Sequence, residues 1–377
     1  MALVNKTFSD IITFTRASTA TYFNSAGVLT SAATNAPRFD YDPVTLAARG
    51  LLIEESRTNL CLQSADFFEN GTGVVNWIWV AGVITGNTQV APDGTTTADT
   101  CTAAGGVQSV YQSITVTAST SYTFSVFVKL GTMNVLDYKI AIYNNTAANF
   151  IATDVVPSQV PNTSSWTRVT YTFTTPVGCT SIRVYPFRNS LTFASSTVFL
   201  WGAQLEAGAF PTSYIPTTTT ALTRAADVAS VNTLSPWFNS VEGTLYSETQ
   251  LTRQAAVAGT NTFYISNGSI NELKIFYRAT GATGASAVDT GVDQANLSPT
   301  GVLTANTIAK IAFAYKANDF AASGNGGAAV TDTSGIVPGG MSQVLLGQPN
   351  GILNGHIRRI TYYPRRPSNA ELQAITA

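Results

Sequence analysis

Through most of this chain apolar and polar residues alternate one by one, the signature of strands with one buried face. Across residues 122–128, Tyr122, Phe124, Val126 and Val128 share a face. Across residues 166–173, Val169, Tyr171 and Phe173 turn inward and the threonines outward. Val110, Ile114 and Val116 mark a further strand, and residues 138–142 and 182–185 two more, with Ala91-Pro92-Asp93-Gly94 a strong turn signal among them. About seven or eight short strands at such spacing predict a jelly-roll sandwich over residues 61–220. Alternation resumes at residues 243–248, 261–265, 273–277 and 310–315, with Gly324-Asn325-Gly326-Gly327 as a hairpin tip. This predicts a second β-sandwich over residues 221–377. Between them the Thr-rich run 217–227 has no clean period and reads as a linker.

Residues 1–60 hold shorter strand candidates broken by tight turns. Thr21-Tyr22-Phe23 and Val28-Leu29-Thr30 flank Asn24-Ser25-Ala26-Gly27, a hairpin signal in which the glycine supplies a positive φ. Such a segment is too short to bury a core alone, so it is expected to lie against a neighbouring domain or subunit. At the other end, Ser368 and Glu371 have capping-box spacing and Pro367 stops the preceding strand. The expected fold class is all-β: a hairpin-rich N-terminal segment, two β-sandwich domains, and one short C-terminal helix held down by Leu372 and Ile375.

Composition adds a constraint. Charged residues make up 11% of the 377-residue chain, against roughly 25% in an average soluble domain. Small hydroxyl and amide residues fill the difference, a surface suited to associated subunits, so a homo-oligomer is expected. No window approaches the ~18 uninterrupted apolar residues of a spanning helix, so no membrane insertion is expected. A net charge of -1 without a basic cluster argues against nucleic acid as a partner. Cys61, Cys101 and Cys179, odd in number and widely spaced, read as reduced, buried thiols. Residues 1–7 lack the basic and apolar stretches of a secretory signal, so synthesis in a cytoplasm is expected.

Three stretches carry a family resemblance: residues 13–22 (TFTRASTATY), residues 37–43 (PRFDYDP) and residues 49–60 (RGLLIEESRTNL). Together they resemble the opening of phage and prophage virion fibre or head-spike proteins. Pro92-Asp93-Gly94-Thr95 and the closure Trp201-Gly202-Ala203-Gln204-Leu205-Glu206 are similar to carbohydrate-binding-module-like jelly rolls of such proteins. Glu242-Gly243-Thr244-Leu245-Tyr246, the 325–327 tip and Leu353-Asn354-Gly355-His356-Ile357 look like a concanavalin A or laminin-G lectin sandwich. The resemblance implies a virion-surface protein made in a bacterial host cytoplasm, a trimer or pentamer. Its N-terminal segment would anchor it to other virion proteins, and its partner would be host surface polysaccharide. Sandwiches of these kinds serve as sugar binders, spacers and oligomer interfaces alike.

Catalytic patterns are sparse. His356 is the single histidine, no G-x-S-x-G is present, and zinc lacks a ligand set. Glu54 and Glu55 are adjacent and would point to opposite faces of a strand, unable to flank one sugar bond. Asp40 and Asp42 would share a face only if extended, and Pro43 suggests a turn, so a depolymerase is the minority reading. Glu206 is expected to pair with an arginine or cap a turn. Asp289, Asp293, Asp319 and Asp332 sit on candidate loops without a loop-ligand spacing, so no cofactor is expected and structural calcium is the one metal left open. Glycan binding instead needs aromatic platforms edged by polar groups. Trp77, Trp79, Tyr111, Tyr138 and Tyr143 are the candidates; Tyr185 lies on a strand nearby, and Trp166 and Trp201 read as core.

Overall fold

The computed structural model describes residues 7–68, 76–103, 107–190, 194–252, 259–349 and 351–377. The chain is all-β with the expected C-terminal helix at Asn369–Thr376 and, in addition, a single helical turn at Phe8–Ile11. That turn is started by a capping box between Thr7 and Asp10, a Thr-x-x-Asp signal present in the sequence.

The jelly roll is two five-stranded antiparallel sheets. One, called here the platform sheet, runs in the order Asn149–Val155, Ile140–Asn144, Ser181–Asn189, Gln108–Thr115, Ile78–Val80. The other, the covered sheet, runs Thr167–Thr174, Ser121–Leu130, Ser196–Ala207, Ala98–Ala103, Val83–Gln89. The inward face foreseen for Tyr122, Phe124, Val126 and Val128 packs against Val110, Ile182, Val184 and Leu205. The three thiols are all free and buried, and burial pushes each of them up.

Strand Ser196–Ala207 holds the Trp201–Glu206 signature at the centre of its sheet. Its register against Ser121–Leu130 shifts between Ser125 and Phe127, where Ser125 faces Gln204 and Phe127 faces Trp201. The extra residue is accommodated at Gly202, whose φ is 66° and where an added Cβ would lie 2.9 Å from the Phe127 ring. Glycine is there because a bulge with left-handed backbone, pressed by a ring, tolerates no side chain. The bulge leaves Leu200, Ala203 and Leu205 in the core and turns Trp201 to the outer face.

The second sandwich is built from two seven-stranded sheets, and the N-terminal segment completes both. Thr13–Thr15 pairs with Val228–Val231 at the edge of one sheet. Ala48–Ile53 pairs with Gly355–Tyr363, and Phe39–Tyr41 forms the edge of the other sheet. The contact foreseen for residues 1–60 therefore takes the form of shared sheets. The linker run also differs from its reading: Leu222–Arg224 is a strand paired with Arg57–Asn59. The helix Asn369–Thr376 seats Leu372 on Ala312, Ala314 and Ala321, small residues that let it approach the sheet closely.

A buried ionic node joins these parts. Arg38 donates to Glu54 at 2.8 Å and to Asp227 at 2.5 Å, and Arg16 donates to the other Asp227 oxygen at 3.1 Å. Arg224 lies 3.6 Å from Glu54. Glu54 also accepts the Ser213 amide and hydroxyl at 2.7 and 2.6 Å. Three cations thus face two carboxylates out of water, and backbone carbonyls of Ala33, Thr21 and Glu55 take further guanidinium protons, while the Nε of Arg38 and of Arg224 is left without a partner. Pairing of charge with charge, backed by backbone acceptors, is what makes buried charge tolerable.

Candidate carbohydrate-binding face

The two outer faces of the jelly roll are treated differently by the rest of the chain. On the covered sheet, Phe127 and Trp201 meet Tyr214, Leu29 and Phe23. The hairpin of Ala20–Phe23 and Leu29–Ala32 lies over this face, bonding Leu29 N to Pro92 O at 2.9 Å and Thr21 Oγ1 to Tyr214 O at 2.5 Å. Trp201 is thus buried as expected, but under the hairpin and not within the sandwich. Trp166 is half-buried beside the same cluster, its Nε1 donating to Val90 O. Glu206 caps the turn beyond its strand by accepting the Thr212 amide at 3.0 Å.

The outer face of the platform sheet carries a strip of rings across four adjacent strands. Tyr111 and Tyr185 have centroids 5.2 Å apart, Tyr185 and Phe150 6.3 Å, and Phe150 and Tyr143 4.9 Å. Strand alternation puts them there: their neighbours Val110, Val184 and Ile142 point into the core. Arg183 spans the strip, its guanidinium 4.6 Å from the Tyr111 centroid and 5.4 Å from that of Tyr143. Burial works against the charge of Arg183, but a hydrogen bond to Tyr185 and the neighbouring tyrosine hydroxyls outweigh it, so its pKa is raised. Its Nε has no hydrogen-bond partner. Arg188 lies 4.4 Å over Phe150 and is held by Asp154 at 2.7 Å. Phe150 is 38% exposed and Ile78, beside Tyr111, 39%. Such a surface offers ring faces and edges for a pyranose, with guanidinium and hydroxyl donors for its oxygens.

Of the five aromatic candidates, Tyr111 and Tyr143 stand on this strip and the others do not. Trp77 is 2% exposed, its ring 4.6 Å from Phe67 and its Nε1 donating to Gln63 O. Trp79 pairs with Val110 while Ile78 pairs with Tyr111, so the register turns Trp79 inward and Ile78 outward. The two tryptophans do share a face, but it is the inner one. Tyr138 is fully buried, its hydroxyl donating to Pro186 O at 2.7 Å. Phe150, Arg183 and Arg188 were missed. The alternating Arg183-Val184-Tyr185 was a signal for an outward cation beside an outward ring, but which strands adjoin it is invisible in the sequence.

Asp40, Glu54 and the histidine line a cleft elsewhere, of about 140 Å³, between the jelly roll and the second sandwich. There His356 Nε2 lies 2.9 Å from Asp40 Oδ2, and Asp40 Oδ1 accepts the Phe23 amide. Asp42 turns away to Arg49; burial opposes it, but the Thr45 and Val44 amides and Arg49 hold its carboxyl down at about 2, where it cannot serve as a general acid near neutrality. Glu55 is engaged by Arg57 and Asn354. Among the described residues no group of three His, Cys, Asp or Glu could hold a metal ion. The four loop acids are engaged separately: Asp289 with Asn271, Asp293 with Asn296, Asp319 with Arg366 and Asp332 with Ser334.

No family model matches the chain, and no curated protein does. Among solved structures it is similar to the CBM22 tandem domain of Paenibacillus barcinonensis Xyn10C, at 12% identity over 80% of this chain and 97% of that one, TM-score 0.30. It is similar to domains LG4-5 of the mouse laminin alpha1 chain, at 8% identity over 85% and 95%, TM-score 0.25. It is also similar to the Ruminococcus gnavus IT-sialidase CBM40, at 18% identity over 37% and 84%, TM-score 0.32. These are carbohydrate-binding modules and a laminin-G pair. TM-scores at this level carry no functional argument, and the β-sandwich architecture stands on the sheets described above.

Proposed function

We propose that this chain is a non-catalytic glycan-binding protein whose ligand lies across the outer face of the platform sheet. The observation that carries the reading is the strip Tyr111–Tyr185–Phe150–Tyr143, strung over four strands on the jelly-roll face that the hairpin leaves open. Ring strips of this kind bind sugars because pyranose C–H faces stack on aromatic faces while hydroxyls find polar partners at the edge. Catalysis finds less support, since Asp40, Asp42, Glu54 and Glu55 are each tied to a cation or histidine.

The test is a glycan array followed by calorimetry on the best ligand, with Tyr143→Ala and Phe150→Ala beside the wild type. Each variant should weaken binding at least about tenfold with its melting temperature nearly unchanged. No binding by the wild type across bacterial polysaccharides would leave the sandwiches as spacers, and reducing-end release would make the protein a depolymerase.

The setting of this activity on a virion rests on the resemblance of residues 13–22, 37–43 and 49–60 to the opening of fibre and head-spike proteins, and of residues 92–95 and 201–206 to their jelly rolls. In that setting the chain is a fibre, spike or decoration subunit, a homotrimer or pentamer, facing host surface polysaccharide. Its attachment to other virion proteins would use the exposed parts of the N-terminal segment, such as Val44 and Leu46. Light scattering on the purified protein tests the oligomer; a stable monomer at micromolar concentration would remove it.

A further inference from the structure

The ring strip is built around a cation that has no carboxylate. Strand Ser181–Asn189 sends Ile182 and Val184 into the core and Arg183 outward, to the middle of the face. There the guanidinium lies over the Tyr111 and Tyr143 rings, and its neighbours are tyrosines, not acids. Asp154, the acid of this face, is spent on Arg188 at 2.7 Å and on the Ser190 hydroxyl. The contrast with the ionic node is direct: Arg16, Arg38 and Arg224 each lie within 4.0 Å of a carboxylate, and Arg183 forms no ion pair among the described residues.

From this we infer that the platform recognises an acidic glycan, with the anionic group of one sugar residue pairing with Arg183 while adjoining residues lie along Tyr143 and Phe150. The inference rests on the glycan-binding reading and sharpens its ligand class. Guanidinium stacked on rings is held in one plane, so little conformational freedom is lost when its fork meets an oxyanion. The desolvated side of the pair is already supplied by the rings, which attract the cation and exclude water beneath it. A neutral glycan would stack on the same rings but leave the Arg183 charge without a counterion.

The anion can be a uronic-type carboxylate or a sulfate ester, and three probes of one backbone separate them: a polyuronate oligosaccharide, its carboxyl-reduced neutral form, and a sulfated form of that neutral chain. Calorimetry is run on the full chain, on Arg183→Gln and on Arg183→Lys, at low and at physiological salt. The wild type should prefer at least one acidic probe over the neutral one by about tenfold or more, a preference that shrinks with salt. Arg183→Gln should lose that preference, its affinity for the acidic probes falling to the level of its affinity for the neutral one. Arg183→Lys should fall between, since it keeps the charge without the planar fork. Which acidic probe shows the Arg183-dependent gain identifies the anion. If the wild type binds the neutral probe as tightly as both acidic ones, the inference falls and the glycan-binding reading stands. If it binds none of the three and nothing on the array, both fall together. Retention of the wild-type acid preference in Arg183→Gln would also overturn the inference, by placing the anion elsewhere.

Discussion

On the covered sheet Phe127 and Trp201 point outward just as Tyr111 and Tyr143 do on the platform sheet, yet the first pair is sealed while the second stays half-exposed beside an exposed Phe150, with Tyr185 buried between them. Residue type does not separate the two faces, since both are rings flanked by an arginine: Arg168 lies 5.5 Å over Phe127 as Arg183 lies 4.6 Å over Tyr111. What separates them is the hairpin from the N-terminal segment and the return of residues 209–218, both fastened by the ionic node. Arg168 is consumed there by Thr212 O and Ser125 Oγ, whereas Arg183, half-buried among rings, has no ion-pair partner among the described residues. An aromatic strip on a jelly roll is therefore glue or recognition surface according to what another part of the chain lays over it.

Loosening the fastening should have the largest effect. Glu54→Gln leaves Arg38 and Arg224 short of a counter-charge out of water, and a loss of about 3–5 kcal/mol in urea unfolding is expected. Burial opposes the ionisation of Glu54, but Arg224, Arg38 and Ser213 hold its carboxyl well below its ordinary value of 4.5. A carboxylate depressed in the folded state stabilises fully above its unfolded value, and that stability drains away as pH falls toward the folded one. The wild type should thus lose stability below about pH 4.5 along a slope that Glu54→Gln lacks. Equal slopes would mean that another acid governs the node.

Trp201→Ala comes next. It empties the space between the sheet and the hairpin, and about 3 kcal/mol of destabilisation is expected with glycan affinity unchanged in the folded fraction. Tyr143→Ala is the mirror experiment and the smallest in stability, about 1 kcal/mol or less in the same unfolding assay, with binding lost. Should Tyr143→Ala destabilise as much as Trp201→Ala, the platform is a buried surface too and the contrast between the faces collapses.

Legibility followed the range of the interactions involved. The alternation at residues 122–128 and 166–173, the Asn24–Gly27 hairpin and the Ser368–Glu371 cap depend on neighbours a few residues away, and each is found in the structure. Arg16, Arg38 and Glu54 stood in the motifs that suggested a virion protein, but nothing nearby in sequence marks them as one buried cluster with Asp227. Trp77 and Trp79 show the same limit at the candidate site. Period two correctly puts them on one face, and only the pairing of Ile78–Val80 with Gln108–Thr115 decides that this face is the core.

The sequence by itself determined that this chain is a series of β-strands folding into two sandwiches, because pleated strands with one wet and one dry face write their period into the chain. Tertiary structure alone decided which face of each strand meets solvent, that the N-terminal strands complete the second sandwich, and that Arg183 stands among rings without an acid. Those outcomes turn on strand register and on contacts between residues far apart in the chain. One step of register exchanges buried for exposed, and no local pattern records which step the fold takes.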